Sequence, residues 1–165
     1  MTRVGVTGHR DLSEPTCELV ATAIAVQLEQ FAEIDGVSSL AEGADQLFAE
    51  QVLRAGGSLT AVVPSAHYGR SFETTHGSAA YRRLRALARE VIELPFSSPS
   101  EEAYWAAGQR VVGLAEVLLA VWDGTPSRGV GGTADVVAFA GDRGIPTTIV
   151  WPPGARRDQR FAGAR

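Results

Sequence analysis

Glycine and polar residues gather at three turns of the sequence, and each turn follows a short apolar run. The turns are Gly8-His9-Arg10-Asp11, Glu42-Gly43-Ala44-Asp45 and the longer stretch from Asp123 to Asp135. Glycine lets a backbone approach a ligand closely, and arginine grips a phosphate through two N–H groups. The three turns therefore predict a binding site for a phosphorylated ligand, built from separate parts of the chain.

The third turn has the composition of a phosphate cradle. Three glycines lie within residues 129–132, directly before a helical pattern that begins at Thr133. A helix N-terminus offers unpaired N–H groups and a partial positive charge, so we expect phosphate at Gly131-Gly132-Thr133. Asp123 would accept a hydrogen bond from a ribose hydroxyl. Two neighbours complete this set of candidate ligand contacts, Trp122 and Arg128. The alternative is a glycine-rich turn that binds nothing.

The first turn supplies a cation. Arg10 would hold a phosphate group, with Gly8 and His9 beside it as further candidate ligand contacts. The alternative is a surface salt bridge between Arg10 and Asp11. His9 could titrate near neutral pH, or it could be a hydrogen-bonded structural histidine.

The second turn is acidic. Gly43 and Ala44 permit the close approach of a ligand, whereas Glu42 and Asp45 would repel a bare phosphate group. The two acids suit sugar hydroxyls, the edge of a base or a metal-bound phosphate. The alternative is a solvated Glu42 and an Asp45 that serves only as an acid in the first turn of a helix.

Several kinds of site are disfavoured by the residue types. All 15 basic residues are arginine, so a Schiff base or a Walker-type phosphate loop, each of which needs a lysine amine, is excluded. The glycine fingerprint of NAD-binding domains and the serine elbow of hydrolases are both missing. His67 and His76 lie nine residues apart in a polar stretch, so we expect no metal site and no cofactor. Cys17 is the single cysteine, which excludes an internal disulfide.

The composition places these turns in one small domain. The chain has 165 residues, is 45% hydrophobic and 21% charged, and carries a net charge of −4. These values are typical of a folded globular protein with a single core. No apolar run is long enough to span a membrane, and the acidic balance argues against a nucleic-acid partner. We expect a cytoplasmic protein.

Short β-branched runs alternate with longer helical patterns, which predicts a mostly parallel sheet of about six strands covered by helices. The predicted fold class is α/β, a single-domain three-layer Rossmann-like sandwich over residues 1–152, followed by a loose tail over 153–165. The predicted strands are Arg3–Thr7, Val37–Leu40, Leu59–Val63, Val91–Leu94, Val117–Trp122 and Pro146–Trp151. The predicted helices begin after Ser13, at Gly43, at Ala79, after Ser100 and at Thr133, and Ser65–Ser78 is a polar loop or lid. Ligands bind at the carboxyl ends of the strands in such sheets, and all three turns lie there.

At these turns the sequence resembles the SLOG superfamily, which groups the DNA-processing Smf proteins with the lonely-guy, lysine-decarboxylase-like phosphoribohydrolases. The segment Val4-Gly5-Val6-Thr7-Gly8-His9-Arg10 is similar to the opening strand and turn of the Smf proteins. Ser38-Ser39-Leu40-Ala41-Glu42-Gly43-Ala44-Asp45 resembles the Smf segment Ser-Gly-Leu-Ala-x-Gly-Ile-Asp. Gly131-Gly132-Thr133 resembles the glycine-rich loop of the phosphoribohydrolases and the Gly-Thr-Ala turn of nucleoside 2-deoxyribosyltransferases. The resemblance covers most of residues 3–151 and implies a nucleotide-like ligand with its phosphate at the third turn.

The chain departs from the enzymes of this superfamily at their catalytic positions. The resemblance places a catalytic glutamate at the position of Val136, and the nearest acid is Asp135. It places an arginine at the position of Ala107, and the nearest arginine is Arg110. If the chain is an enzyme, Asp135 and Glu42 are its candidate catalytic residues, and the substrate is the N-glycosidic bond of a nucleoside monophosphate.

Three functions follow from these observations. The leading hypothesis is the binding of a nucleotide or a nucleotide-derived small molecule. The alternatives are hydrolysis or transfer at an N-glycosidic bond and the binding of single-stranded DNA, which the acidic balance and the missing lysines disfavour. The resemblance also implies a homodimer, because members of the superfamily usually pair through helices beside the sheet.

Overall fold

A sheet of six parallel strands forms the centre of the computed structural model, which describes residues 1–158. The strands are β1 (Thr2–Gly8), β2 (Ile34–Ser38), β3 (Ser58–Val63), β4 (Glu90–Glu93), β5 (Val117–Val121) and β6 (Thr147–Ile149). They lie in the order β4-β3-β2-β1-β5-β6, and every neighbouring pair is parallel. Since β1 is flanked by β2 and β5, the carboxyl ends of these three strands meet where the strand order reverses, which is where ligands bind in such sheets.

Within residues 1–158, five α-helices cover the two faces of the sheet. They are α1 (Glu14–Leu28), α2 (Ala44–Arg54), α3 (Thr75–Leu87), α4 (Glu101–Leu114) and α5 (Thr133–Asp142). Helix α2 packs between α1 and α3, and α4 packs against α5. The predicted α/β fold, a three-layer sandwich in one domain, is confirmed.

Two apolar clusters hold the layers together. Under α1 and α2 the core contains Ile24, Phe48 and Val52, which are fully buried. Under α4 and α5 a second cluster contains Val111 and Val136. Burial of apolar side chains on both faces explains why the central strands are almost continuously apolar.

The second strand lies earlier than predicted. The apolar run suggested Val37–Leu40, but β2 begins at Ile34 and ends at Ser38. Asp35 belongs to the strand because its carboxylate accepts hydrogen bonds from the Ser58 and Thr60 hydroxyls on β3. Leu40 leaves the sheet with a positive φ of 58°. A one-dimensional apolar pattern does not register such long-range pairing.

The predicted polar loop Ser65–Ser78 is largely ordered structure. It contains a short 3-10 helix, Tyr68–Ser71, and the first turn of α3. Thr74 caps α3, because its hydroxyl accepts from the Gly77 N–H at 2.9 Å. The helix therefore starts four residues before the predicted Ala79. The ring of Tyr68 is buried, and this anchors the segment on the domain.

The chain continues beyond β6 along the turn that joins β1 to α1. The Arg157 Nε lies 3.0 Å from both carboxylate oxygens of Asp11, and the Arg156 N–H donates to the Thr16 hydroxyl at 2.7 Å. These contacts fall within the tail that was expected to be loose from residue 153, whose remainder, 159–165, lies outside the described residues. Among the described helices, none has the length and apolar character that a membrane crossing requires.

Candidate functional site

The three predicted turns meet at the carboxyl edge of the sheet. The His9 N–H donates to the Val121 carbonyl at 3.1 Å, which joins the ends of β1 and β5. The Ala44 N–H donates to the His9 carbonyl at 3.1 Å, which joins the same turn to the start of α2. The candidate residues that follow β1, β2 and β5 therefore lie side by side.

Two glycines permit this close approach. A Cβ on Gly8 would lie 2.5 Å from the Ala44 Cβ and 2.7 Å from the Val121 Cβ. Gly43 has a φ of 82°, and a Cβ there would lie 2.6 Å from the His9 carbonyl oxygen. Glycine is thus required at both positions to assemble the edge, whether or not either residue contacts a ligand.

Asp123 is held by its own turn. Its Oδ1 accepts from the Thr125 N–H at 3.0 Å and from the Thr125 hydroxyl at 2.7 Å. The His9 Nε2 lies 3.0 Å from the same oxygen, and Arg157 Nη1 lies 3.9 Å from Oδ2. The pKa of Asp123 is lowered, because the hydrogen bonds from Thr125 and the charge of His9 outweigh the opposing effect of burial. A ribose hydroxyl would therefore have to approach Oδ2, beside Arg157.

His9 is a buried member of this cluster. Its ring meets the edge of Trp151 with the centroids 5.7 Å apart. Burial lowers the pKa of His9 and the charge of Arg157 lowers it further, against a smaller opposing effect of Asp123. The backbone N–H of Asp123 also lies 3.1 Å from Nε2, so the position of the ring proton decides which of the two bonds forms.

Trp122 stabilises the turn that follows β5. Its indole N–H donates to the Thr125 carbonyl at 2.8 Å. The donor that a ligand would have used is therefore already paired. Together, Trp122, Asp123 and Thr125 give the end of β5 a fixed shape, and Arg128 is exposed farther along the loop.

The glycine-rich turn packs tightly on its surroundings. Gly131 has a φ of 83°, and a Cβ there would lie 3.0 Å from the Trp105 Cα. A Cβ on Gly132 would lie 2.7 Å from the Ser127 hydroxyl oxygen. Asp135 accepts from the Gly131 N–H at 3.0 Å, and the Asp135 N–H donates to the Ser127 hydroxyl at 3.2 Å. The carboxylate of Asp135, a candidate catalytic group, is thus used to fold the loop.

Three consecutive amides of this turn keep their hydrogen atoms free. Within residues 1–158, the N–H groups of Gly132, Thr133 and Ala134 donate to no protein acceptor. They lie at the N-terminus of α5, where the helix dipole adds a partial positive charge. Because the Gly131 and Asp135 amides are paired, the turn has fewer free N–H donors for an anion than its composition suggests. The three that are free are consecutive in the sequence.

Glu42 points to α3. Its carboxylate accepts a hydrogen bond from the Thr74 hydroxyl, and a Cβ on Gly77 would overlap it. The neighbouring Gln46 amide donates to the Gly77 carbonyl at 3.0 Å and to the Leu40 carbonyl at 3.1 Å. Glu42 and Gln46 therefore fasten the start of α2 to the start of α3.

Asp45 differs from the other acids of this edge. It is 9% exposed, and its Oδ2 accepts from the Ala41 N–H at 3.3 Å. Its Oδ1 has no hydrogen-bond partner within residues 1–158 and stays accessible. Burial raises the pKa of Asp45 to about 7, although the Ala41 bond and the charge of Arg10 lower it. Asp45 is therefore a carboxyl group that changes its charge near neutral pH.

Two tyrosines are linked to Asp45, Tyr68 through its charge and Tyr104 through Tyr68 and Arg10. The phenol of Tyr68 is 4% exposed, and burial and the charge of Asp45 raise its pKa. The Tyr68 and Tyr104 ring centroids lie 6.2 Å apart, and the Arg10 guanidinium carbon lies 5.7 Å from the Tyr104 centroid. Arg10, Asp45 and the two tyrosines thus form a continuous group, which we call the Asp45 cluster.

Sequence reasoning missed Tyr68, Tyr104 and Arg157. Tyr104 lies three residues before the buried Ala107, so helical spacing could have placed it on the sheet-facing side of α4. Tyr68 lies in the segment that was expected to be a polar loop. The contact of Arg157 with Asp11 spans most of the chain, and nothing in the sequence indicates it.

Two cavities lie away from the turns. One, of about 610 Å³, lies at the opposite edge of the sheet and is lined in part by Leu28, Phe31 and Arg54. The other, of about 380 Å³, lies between β3 and α3. Within residues 1–158, no group of three histidine, cysteine or acidic side chains is placed to hold a metal ion.

Solved structures share this arrangement of strands. DNA processing protein A from Streptococcus pneumoniae matches with a TM-score of 0.65 and 18% identity, over 90% of this chain and 50% of that one. DNA processing protein A from Helicobacter pylori, whose structure concerns single-stranded DNA binding, matches with a TM-score of 0.67 and 15% identity, over 96% and 70%. The molybdenum cofactor binding protein of Rippkaea orientalis matches with a TM-score of 0.55 and 16% identity, over 90% and 75%. The chain shares its Rossmann-like fold with these proteins.

This confirms the resemblance at the level of the fold. The chain spans half the length of the Streptococcus pneumoniae protein. No protein-family model matches the sequence, and no curated protein has a significant match to it. Proteins that share this fold include both a binder of single-stranded DNA and a binder of a small cofactor.

Proposed function

We propose that the chain binds a nucleotide or a nucleotide-derived ligand at the carboxyl edge of its sheet. The phosphate would lie against the N–H groups of Gly132, Thr133 and Ala134, with Arg10 as the cation. Asp45 and the Oδ2 of Asp123 would contact the ribose or the base. A homodimer belongs to the same proposal.

The free amides at the start of α5 carry this proposal. The flanking amides of Gly131 and Asp135 are paired with side chains, whereas the three between them are not. A row of unpaired N–H groups at a helix N-terminus favours an anion, because each donor gains a partner and the dipole lowers the energy of the charge. The fold also supports it, since the molybdenum cofactor binding protein of Rippkaea orientalis, which is named for a small molecule that it binds, has a similar fold.

Calorimetric titration with nucleoside 5′-monophosphates tests the proposal. Gly132→Val places a side chain against Ser127 and should close the amide row, and Arg10→Ala removes the cation. We expect each change to weaken binding by about tenfold or more, the loss typical of a charge-assisted hydrogen bond.

Two matched variants serve as controls. Gly141→Val lies on the same helix as the amide row, where a Cβ meets no atom within 4 Å. Arg110→Ala removes an exposed arginine of α4. Both should bind like the wild type. Equal affinity in Gly132→Val, Arg10→Ala and the controls would refute the assigned site.

An N-glycosidic hydrolase or transferase is the first alternative. Its two candidate acids, Asp135 and Glu42, are hydrogen-bonded to Gly131 and Thr74, so both would have to be released before they could stabilise a cationic sugar. Release of free base from nucleoside monophosphates, abolished in Asp135→Asn, would favour this alternative over simple binding.

Single-stranded DNA is the second alternative. It is favoured by the fold shared with the Helicobacter pylori protein and disfavoured by the net charge of −4. Binding to oligonucleotides that weakens steeply with salt would support it, because phosphate contacts release counterions. The absence of binding at low salt would exclude it.

A further inference from the structure

The Asp45 cluster contains polar atoms that make no hydrogen bond to the rest of the described protein, residues 1–158. Asp45 and Tyr68 are both more than nine-tenths buried. Within residues 1–158, neither the Asp45 Oδ1 nor the Tyr68 hydroxyl has a hydrogen-bond partner, and both stay accessible. Buried polar groups are normally paired, so two that have no protein partner within one cluster indicate a place for a ligand.

The cluster lies at the same edge of the sheet as the proposed phosphate position. Asp45 follows β2 and the amide row follows β5, with β1 between them. The two regions also meet through α4, because Tyr104 precedes Trp105, whose Cα lies 3.0 Å from where a Cβ on Gly131 would be. One ligand could therefore contact both the amide row and the Asp45 cluster.

We propose that Asp45 recognises the ring of the ligand, pairing its neutral carboxyl group with an adjacent donor and acceptor on the edge of a planar heterocycle. This inference rests on the proposed function and adds the part of the ligand that Asp45 contacts. A lactam or an amidine edge has the required pattern. The carboxyl O–H donates to the acceptor of the ring, and the carboxyl C=O accepts from its N–H.

The neutral form is favoured by the surroundings of Asp45. A ring placed over it would exclude the remaining water, and an unpaired buried carboxylate would then cost far more free energy than a neutral acid with two hydrogen bonds. The charged or titratable groups that face it are Arg10 from the turn after β1, Tyr68 from the 3-10 helix and Tyr104 from α4. Arg10 alone is a cation, and it is exposed, so water screens its charge.

The tyrosine rings supply the other half of the subsite. Arg10 lies over the ring of Tyr104, so a heterocycle that stacks there would replace the guanidinium, which would turn to the phosphate. A heterocycle can stack on the same face, since offset stacking of rings is favourable. Asp45 would then fix the edge of the ring, and Tyr104 its plane.

The sign of the pH dependence tests this inference. With the carboxyl group bound in its neutral form, binding of cytidine 5′-monophosphate should weaken about tenfold between pH 6 and pH 8, because the acid must first take up a proton. Asp45→Asn keeps one donor and one acceptor, so it should bind within about threefold of the wild type at pH 6 and lose this pH dependence. Asp45→Ala should bind about tenfold or more weakly.

Ribose 5-phosphate is the matched ligand control. It carries a phosphate that titrates near pH 6 as in the nucleotide, but no ring, so its affinity should not change in Asp45→Ala. Carbon NMR of labelled aspartate provides a second readout, in which the nucleotide should raise the pKa of Asp45.

Several outcomes would overturn the inference. Binding of the nucleotide that tightens as the pH rises and is lost in Asp45→Asn would show that a carboxylate, not a neutral acid, contacts the ligand. Equal effects of Asp45→Ala on both ligands would place the sugar or phosphate at Asp45. If nucleotide binding depends on Gly132 and Arg10 but not on Asp45, this inference fails while the proposed function stands. No binding of either ligand would refute both.

Discussion

Asp35 and Asp45 are both buried aspartates, but they lie at opposite edges of the sheet and in different surroundings. Asp35 lies on β2 at the amino edge, and its carboxylate accepts from the hydroxyls of Ser58 at 3.0 Å and Thr60 at 3.1 Å. Arg89 at 3.1 Å and Arg3 at 3.4 Å complete its partners. Asp45, at the carboxyl edge, has one backbone N–H as a hydrogen-bond donor within residues 1–158.

The difference separates a structural acid from a functional candidate. Four neighbours compensate for the desolvation of Asp35, so its charge stabilises the fold. Asp45 is desolvated with less compensation, so its charged form is unfavourable, and either protonation or an added hydrogen-bond donor relieves this. Uncompensated polar groups in a stable fold are concentrated where ligands bind.

Removal of the Asp35 carboxylate should have the largest effect. Asp35→Ala leaves the buried Thr60 hydroxyl, the half-buried Ser58 hydroxyl and two arginines without their acceptor, so we expect a loss of about 3 kcal/mol in the free energy of unfolding. Urea unfolding measures it. Asp45→Ala is the matched control and should cost much less. Equal losses would contradict the contrast between the two acids.

The Asp45 carboxyl should make the stability depend on pH. Its pKa of about 7 lies above the value of about 4 for a free aspartate, so between these values the native protein binds more protons than the unfolded chain. The contribution of Asp45 is therefore fully present below about pH 4 and is lost as the pH rises through 7.

Asp45→Asn should remove this dependence. We expect the variant to be more stable than the wild type at pH 8, by on the order of 2 kcal/mol, and no more stable at pH 4. Urea unfolding at the two pH values measures the difference. A gain of the same size at both values would show that the variant acts through packing and not through the charge of Asp45.

Much of the fold could be predicted from the sequence because its signals are local. Helix α5 spans the predicted Thr133–Asp142, since a glycine turn precedes it and Gly144 follows it. The start of β2 was missed because Asp35 and Gly36 interrupt the apolar run. Their place in the strand depends on Ser58, Thr60 and Arg89, which no local pattern connects to them.

For the candidate site, too, the sequence predicts local features but not contacts between distant residues. The turns were located by their glycines, and the structure brings them together at one edge. Which acid remains free could not be predicted, because it depends on neighbours distant in the sequence, such as Thr74 for Glu42. Asp45 stands out only once Tyr68 is known to be buried beside it.

His9 is a second titratable group at the carboxyl edge, and Arg157 lies near it. Removal of Arg157 should have the smallest effect of these changes. Its charge contributes to the lowered pKa of His9, after the larger effect of burial, so Arg157→Ala should raise that pKa. Proton NMR titration of the His9 ring measures the shift.

Arg157→Lys distinguishes charge from packing. Lysine keeps the positive charge but lacks the guanidinium fork that meets both oxygens of Asp11. If charge controls His9, the lysine variant should keep the lowered pKa while the alanine variant does not. If both variants raise it equally, the segment after β6 acts by shielding His9 from water. In that case burial sets the pKa of His9, as it sets the pKa of Asp45. Desolvation alone would then distinguish the titratable groups of the carboxyl edge from Asp35 at the amino edge.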